Sequence, residues 1–303
     1  MLVDSFLPKS PELERPDAHP LTCARRLVRH LPMLVVCLLA PWAAQAQTPA
    51  PLQEWQYSPG ITLEKMFEPN VPEWNNEFGL SVETRPLYEG SNTYRSLVGP
   101  VIDIQYYDIA FASVGEGLGV NVVRGENYRA GIALAYDLGR RADDDLTHLK
   151  GLGNISPAPV VKLFVSYAIS KEFPLVLRAD VRQFVGGADG AVADINMYLP
   201  LPGSSASLIM FAGPSVTLAD RLHLQTLFGI NGNQAIASGH PDYQAHGGFE
   251  SAGLGFSITR ILSTRWLLNA EVAANRLLGS ARESPLTQTN RQYVLALSTA
   301  YKW

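Results

Sequence analysis

The chain ends with Arg291-Gln292-Tyr293-Val294-Leu295-Ala296-Leu297-Ser298-Thr299-Ala300-Tyr301-Lys302-Trp303, a stretch in which two kinds of side chain alternate. One face carries aromatic residues near both ends and mostly aliphatic residues between them: Tyr293, Leu295, Leu297, Thr299, Tyr301 and Trp303. The opposite face is mostly small or polar. Alternation with a period of two predicts a β-strand. Aromatic residues at both ends of an apolar face are typical of a strand that crosses a bilayer.

The same alternation recurs along most of the chain and predicts twelve strands. The sharpest case sets Arg178, Asp180 and Arg182 against apolar neighbours on the other face. The predicted strands are residues 74–85, 98–106, 110–123, 128–138, 161–169, 173–182, 191–199, 205–216, 222–229, 247–259, 266–274 and 291–303. Segments 110–123 and 222–229 have the weakest patterns, which leaves ten strands as the alternative. We therefore expect an all-β fold, a transmembrane antiparallel β-barrel, rather than a soluble sandwich with polar outer faces.

The first 46 residues have the three parts of a signal peptide. Arg25, Arg26 and Arg29 precede the apolar run 31–40, and small residues occupy the cleavage positions in Ala44-Gln45-Ala46. Residues 47–73 are rich in proline and predict a periplasmic lead-in to a barrel that spans residues 74–303. The prediction for localisation is therefore the outer membrane of a Gram-negative cell, with lipid as a partner of the apolar faces.

Cysteine content and charge exclude several classes of function. Both cysteines, Cys23 and Cys37, lie in the predicted leader, so the mature chain would have no disulfide, thiolate metal site or catalytic thiol. The net charge of −4 argues against a nucleic-acid partner.

Several connections resemble those of the MltA-interacting protein (MipA)/OmpV family of outer-membrane proteins. The matching stretches are residues 85–91 (RPLYEGS), 136–140 (YDLGR) with 143–145 (DDD), 149–155 (LKGLGNI), 217–220 (TLAD), 227–230 (LFGI) with 234–235 (QA) and 238–239 (SG), 277–281 (LLGSA) with 284–285 (SP), and the aromatic end of the chain. Their order and spacing cover nearly all of the predicted mature chain. The resemblance implies an outer-membrane barrel. For some members it also implies a scaffold that joins a lytic transglycosylase to a peptidoglycan synthase, whereas other members resemble adhesins or stress-related membrane proteins.

The connection from residue 139 to residue 159 is the predicted interaction loop. The predicted strand count places this long loop in the periplasm, unless the count before it is wrong by one. Its candidate residues are Gly139, Arg140, Asp143, Asp144, Asp145, Gly151, Gly153 and Asn154. The three aspartates lack the spaced ligands of a calcium loop, so we favour a solvated cluster over a metal site. Tyr293, Tyr301 and Trp303 are the predicted membrane-anchoring aromatic residues.

Two further interpretations concern the rim and the interior of the barrel. His240, Asp242, His246 and Glu250 share one outer loop and strand start, but no fixed nucleophile and base accompany them, so we predict no enzyme, metal site or cofactor. Inward-facing charges are expected to pair within a plugged or narrow lumen, or else to line a solute channel: Glu77, Glu83, Arg85, Asp103, Arg178, Asp180 and Arg182.

Overall fold

A computed structural model describes residues 72–303 except Lys171, Pro174 and Ala206. The predicted signal peptide and nearly all of the lead-in lie outside these residues. Twelve strands are present: β1 (Trp74–Pro86), β2 (Tyr94–Tyr106), β3 (Ala110–Ser113), β4 (Gly117–Arg124), β5 (Tyr128–Asp137), β6 (Ala158–Ala168), β7 (Val176–Phe184), β8 (Ala191–Pro200), β9 (Leu208–Ala219), β10 (Gly248–Ile261), β11 (Trp266–Leu277) and β12 (Arg291–Lys302).

The strands form one closed barrel in which each is antiparallel to its neighbours in the chain. Closure occurs between β1 and β12, where Phe78 lies opposite Tyr301 and Thr84 lies opposite Leu295. A closed sheet leaves no outer edges at its two chain ends, which is why barrels can span lipid. The predicted all-β transmembrane fold and the count of twelve strands are confirmed.

The count is correct because two errors in the assignment of strands cancel. Segment 110–123 is two strands, β3 and β4, joined by the turn 114–116, and Gly117 follows that turn with a φ of +82° that favours glycine. Segment 222–229 is not a strand but helix α1 (Arg221–Phe228). The Asp220 side chain caps α1 by accepting from the His223 backbone N–H, and Leu224, Leu227 and Phe228 bury one face at helical spacing.

The extra strand reverses the predicted position of the loop between β5 and β6. Connections 107–109, 125–127, 169–175, 201–207 and 262–265 lie at the end of the barrel where β1 begins and β12 ends. The connections at the other end include the much longer 138–157, 220–247 and 278–290. Short turns face the periplasm and long loops face outward in barrels of this kind. The predicted strand count before this loop was therefore wrong by one, which is the alternative kept above, and the loop lies at the extracellular end.

The two faces of the wall have the predicted chemistry. Outward residues such as Leu80, Leu163 and Leu297 are exposed, while inward residues such as Asp180, Asp194 and Glu271 are buried. Aromatic pairs mark the periplasmic rim, with ring centroids 4.8 Å apart for Trp74 and Tyr106 and 5.2 Å apart for Trp266 and Tyr301. Of the three predicted anchor residues, Tyr301 and Trp303 lie at this rim and Tyr293 lies at the opposite end of β12.

Short helices occur only in the extracellular connections of the part of the chain that the structure describes. A 3-10 helix (Ala142–Asp145) follows β5, α1 and α2 (Gly232–Ser238) follow β9, and α3 (Gly279–Glu283) follows β11. None of the helices within residues 72–303 is long and apolar enough to cross a membrane.

Candidate functional site

The extracellular loops pack against one another and form a cap over the barrel. Tyr88, Leu149, Leu152, Ile230 and Leu286 come from four different loops and are at most 5% exposed. A second apolar cluster lies beneath them and joins α1 and α3 to the upper ends of the strands through Phe184, Val192, Ala219, Leu224, Phe228 and Ala281. Burial of apolar surface from several loops stabilises one closed arrangement of the cap.

Hydrogen bonds between distant segments hold the same loops together. The Gln288 amide donates to the Tyr88 hydroxyl at 2.5 Å and to Asp145 at 3.3 Å. Gln234 Nε2 donates to the Leu152 carbonyl at 2.7 Å, and the Ser284 hydroxyl donates to the Phe228 carbonyl at 2.6 Å. These bonds satisfy polar groups that the packing of the cap has removed from water.

The predicted interaction loop contributes its charged residues to the cap. Arg140 is buried and donates from Nη1 to the Leu227 carbonyl at 2.7 Å, and burial lowers its pKa to about 10. Asp144 forms an ion pair with Arg95 of β2 at 3.4 Å, and Asp145 accepts from His148 Nδ1 at 2.9 Å. Asp143 is exposed beside Arg141 at 3.8 Å. The three aspartates therefore have three different partners, and no group of three or more potential metal ligands occurs within the described residues.

The other predicted loop residues fix the path of the chain. Gly139, Gly151 and Gly153 all have φ between +70° and +82°. A side chain on Gly139 would lie 2.0 Å from the Ile155 carbonyl oxygen, and one on Gly151 would meet the backbone of Ala237 in α2. Asn154 accepts from the Ala142 backbone N–H at 2.7 Å through its side-chain oxygen.

A chain of ion pairs runs along the inner wall of the barrel below the cap. Arg182 contacts Asp194, whose other carboxylate oxygen accepts from the Thr217 hydroxyl at 2.6 Å, and Arg182 lies 3.5 Å from Asp180. Lys162 links Asp180 at 4.0 Å to Glu116 at 3.3 Å. These contacts connect β9, β8, β7 and β6 to the β3–β4 turn. Buried charges require such partners because their removal from water is costly.

The predicted pairing of lumen charges is confirmed for several of them. Arg178 Nη2 contacts Glu116 at 2.7 Å, and Arg85 Nη1 lies 3.6 Å from Glu83. Sequence reasoning missed Glu116, Lys162 and Asp194 as members of this network. Asp194 and Lys162 could have been found from their inward register on β8 and β6, whereas Glu116 lies in a turn that the sequence pattern hid inside a predicted strand.

The residues considered for a rim enzyme do not share one environment. His240 Nε2 donates to the His148 carbonyl at 3.0 Å inside the cap, whereas His246 is exposed. Glu250 is completely buried in the upper lumen near Glu89 and Arg182.

His223 is a titratable group that is buried beneath the cap. It is 1% exposed, packs against Phe184 with ring centroids 4.7 Å apart, and donates from Nδ1 to the Asp189 carbonyl at 3.0 Å. Burial away from water, together with the charge of Arg182, lowers the pKa of His223 to about 4. The ring is therefore neutral at physiological pH. Burial also raises the pKa of the Tyr88 hydroxyl in the same cap.

A polar cavity of about 90 Å³ occupies the periplasmic half of the lumen. Its walls include Asp108, Phe111, Glu116, Arg129 and Arg178. Arg129 Nε contacts Asp108 at 2.7 Å, and Phe111 meets Phe164 edge to face with centroids 5.7 Å apart. The volume corresponds to about three water molecules. The Glu116–Arg178 pair is part of the lining of this cavity.

Comparison with known proteins identifies the family of the chain. The family model described as MltA-interacting protein MipA matches residues 78–303, which include almost the whole barrel. No curated protein matches the chain.

Solved barrels show only distant similarity to this chain. The NanC porin is 8% identical over 74% of this chain and 100% of its own, with a TM-score of 0.41. The CymD monoaromatic hydrocarbon channel is 9% identical over 85% and 94% of the two chains, with a TM-score of 0.40. The COG4313 outer membrane channel from Pseudomonas putida F1 is 6% identical over 77% and 97%, with a TM-score of 0.41. These similarities assign neither a solute nor an activity to this chain.

Proposed function

The chain belongs to the MltA-interacting protein MipA family, and from this premise we propose that it is a closed outer-membrane barrel that binds a peptidoglycan-remodelling enzyme at its periplasmic end. The observation that supports the proposal is the packing at the extracellular end. A packed cap covers that end, and ion pairs from Glu116 to Asp194 line the inner wall below it. A barrel of this kind can anchor a partner without passing solutes.

The family description supports the class of partner, because it names an interaction with MltA, a lytic transglycosylase. A peptidoglycan synthase joined through the same scaffold is the second partner that the resemblance implies. Both enzymes act on the cell wall and would meet the barrel from the periplasm. We therefore move the binding surface from loop 139–159 to the short turns and to the lead-in 47–73.

A matched pair of charge swaps tests where the partner binds. Arg124 and Glu126 are exposed in the periplasmic turn between β4 and β5, and Arg141 and Asp143 are exposed on the cap. The variants Arg124→Glu/Glu126→Arg and Arg141→Glu/Asp143→Arg both preserve the net charge. Immobilised wild-type barrel and each variant are incubated with purified lytic transglycosylase in detergent.

We expect the periplasmic swap, or deletion of residues 47–71, to reduce recovery of the enzyme by at least several-fold, and the cap swap to leave it unchanged. Equal recovery by all variants, or loss only with the cap swap, would contradict a periplasmic binding surface. No recovery by the wild type would contradict the scaffold itself.

A narrow solute channel is the second candidate, and the polar cavity in the periplasmic half of the lumen favours it. Conduction would require the cap and the ion pairs to move apart. Planar-bilayer recording separates the two functions, because the scaffold predicts no conductance steps. Steps that persist at low voltage, and that increase when the Glu116 pairs are removed by Glu116→Gln, would favour the channel.

A further inference from the structure

The barrel wall is incomplete beside β2. Strand β3 pairs only with residues Asp103–Tyr106 of β2, and the last hydrogen bond between the two joins the Val114 N–H to the Ile102 carbonyl at 3.1 Å. Within the described residues, no strand pairs with this side of β2 from Tyr94 to Val101. At the rise of an antiparallel strand, the unpaired edge is roughly 25 Å long. We call this interruption the wall opening.

The wall opening exists because the β3–β4 hairpin is short. Its turn, residues 114–116, ends partway up the wall, and β4 pairs with β5 only as far as Leu118 opposite Leu134. Glu116 points into the lumen, where Arg178 and Lys162 hold it. Above this turn, β2 and the upper end of β5 are the two sides of the opening. One ion pair, Arg95 with Asp144, spans its extracellular end.

The exposure of the inner face at the opening differs from that of the rest of the lumen. The inward residues of β2 at this level include Leu97, Gly99 and Val101, and all three are partly exposed. Inward residues on the complete part of the wall are mostly buried, both charged ones such as Asp180 and Asp194 and apolar ones such as Phe211 and Val294. The outward rim is apolar as well: Leu134, Leu118 and Val98 are between 54% and 70% exposed. An apolar path therefore leads from the outer surface to the inner face of β2.

Pro100 indicates that a protein strand does not fill the opening. The Ile102 carbonyl bonds to Val114, so the even-numbered residues of β2 direct their backbone groups towards the open edge. Pro100 is one of these residues and has no N–H to donate. A proline on an open edge weakens pairing with an added strand.

We propose that the wall opening binds an acyl chain of a membrane lipid from the outer leaflet. Tyr94 and Tyr136 flank the opening at the extracellular interface, so the region below them faces the hydrocarbon of that leaflet. Leu97, Gly99 and Val101 would contact the chain, while Arg95 lies where a negatively charged headgroup would sit. The proposal does not depend on the periplasmic scaffold, because the two sites lie at opposite ends of the barrel.

Photo-crosslinking tests the site and its occupant. The whole barrel is folded into vesicles of phosphatidylcholine that contain a small fraction of the same lipid with a diazirine in the middle of one acyl chain. After irradiation, labelled residues are identified by mass spectrometry. We expect inward residues 97–101 of β2 to be labelled in addition to the outward faces of all strands. Labelling confined to outward faces would overturn the proposal.

Gly99→Phe supplies the blocking variant. A Cβ atom on Gly99 would meet only the Ser81 hydroxyl, at 3.8 Å, so an inward side chain can enter the opening without a backbone clash. Val98→Phe places the same ring on the outward face beside it and is the matched control. Heat-modifiable gel mobility verifies that both variants fold. We expect Gly99→Phe to reduce inward labelling at least fivefold and Val98→Phe to leave it unchanged; equal labelling in the two variants would contradict the site.

Spin labels provide a second readout that does not depend on crosslinking. Leu97 and Ala296 face inward on the two sides of the same β1 residue, Glu83. A nitroxide at Leu97→Cys should collide readily with lipid-dissolved oxygen, whereas one at Ala296→Cys should be protected. Equal protection at both positions would show that the wall is closed to lipid at this point.

Discussion

The wall from β6 to β12 and the wall from β2 to β5 are built from the same kind of strand but enclose different interiors. In the first region, adjacent strands pair along most of their length and their inward residues are mostly buried. In the second region, a short hairpin leaves one side of β2 unpaired from Tyr94 to Val101, and the inward residues Leu97, Gly99 and Val101 are partly exposed. Ion pairs and apolar residues therefore pack together inside the complete wall, whereas small and apolar inward residues stay partly exposed where the wall is incomplete.

The largest effect should come from the ion pairs of the complete region. Asp194→Ala removes the closest carboxylate of buried Arg182 and the acceptor of the Thr217 hydroxyl. Loss of one partner from a buried pair destabilises by about 3–5 kcal/mol. Urea unfolding in lipid vesicles, followed by tryptophan fluorescence, should show this loss in the free energy of unfolding.

Asp143→Ala is the control for that measurement. Its ion pair with Arg141 is largely exposed, so its loss should change stability by less than about 1 kcal/mol. If the two variants unfold at the same urea concentration, the lumen ion pairs do not stabilise the complete region of the wall.

Removal of an apolar side chain from the core of the cap should lower the free energy of unfolding by a similar or slightly smaller amount than Asp194→Ala. Leu149 is completely buried among residues of other loops, and Leu149→Ala should cost about 2–4 kcal/mol because the site cannot collapse fully. Leu146→Ala lies in the same loop but is 60% exposed and should change stability by less than about 0.5 kcal/mol. Protease cleavage of loop 138–157 in intact vesicles reports opening of the cap. Similar cleavage rates for the two variants would argue against a cooperatively packed cap.

Sequence patterns predicted the strands well because contact with lipid imposes the same alternation on each of them. They did not predict the cap, since its contacts join residues far apart in the chain, such as Tyr88 and Leu286. The sequence of helix α1 does contain a helix signal, because the capping residue Asp220 precedes apolar residues that are spaced three and four positions apart. The apolar residues of this short segment nevertheless predicted a strand.

The wall opening left a weaker signal in the sequence. Glycines at 115, 117 and 119 break the alternation within segment 110–123, but a glycine-rich bend in one strand gives the same pattern as two short strands joined by a turn. Because segment 110–123 is a hairpin, every strand after it runs opposite to the predicted direction, as far as segment 222–229, where the second error restores the count. The missed turn is therefore the reason why loop 139–159 was predicted at the periplasmic end. The alternation of β2 does not reveal the opening. Lipid contact makes the outward residues of a strand apolar whether or not the neighbouring strand pairs with it, so the sequence pattern is the same in both cases.

The pH dependence of the cap should be comparable to the effect of its core variants. The pKa of His223 is lowered to about 4 in the folded protein, against about 6.5 when unfolded. The unfolded state binds the proton more tightly than the folded state. The contribution of the neutral ring to the free energy of unfolding is therefore fully present above pH 6.5 and is lost as the pH falls through 4, a loss of about 3 kcal/mol. Protease cleavage of the cap should rise over this range. His223→Leu should remove this part of the pH dependence; an unchanged profile in that variant would show that other groups cause it.

The smallest effect should occur at the edge of the wall opening, where two glycines of loop 138–157 provide a matched pair. Both have positive φ, so alanine at either position costs about 1–2 kcal/mol of backbone strain. Nothing lies near a Cβ on Gly153, but one on Gly139 would be 2.0 Å from the Ile155 carbonyl oxygen, which accepts from the Arg140 N–H. Gly139→Ala should therefore also break the hydrogen bond between the Arg140 N–H and the Ile155 carbonyl. Its loss should loosen the Asp144–Arg95 ion pair that spans the opening.

A nitroxide at Asn92→Cys, near Arg95, should become more mobile in Gly139→Ala than in Gly153→Ala. Equal mobility would mean that the loop does not secure the extracellular end of the opening, and the two regions of the wall would then differ only in their pairing.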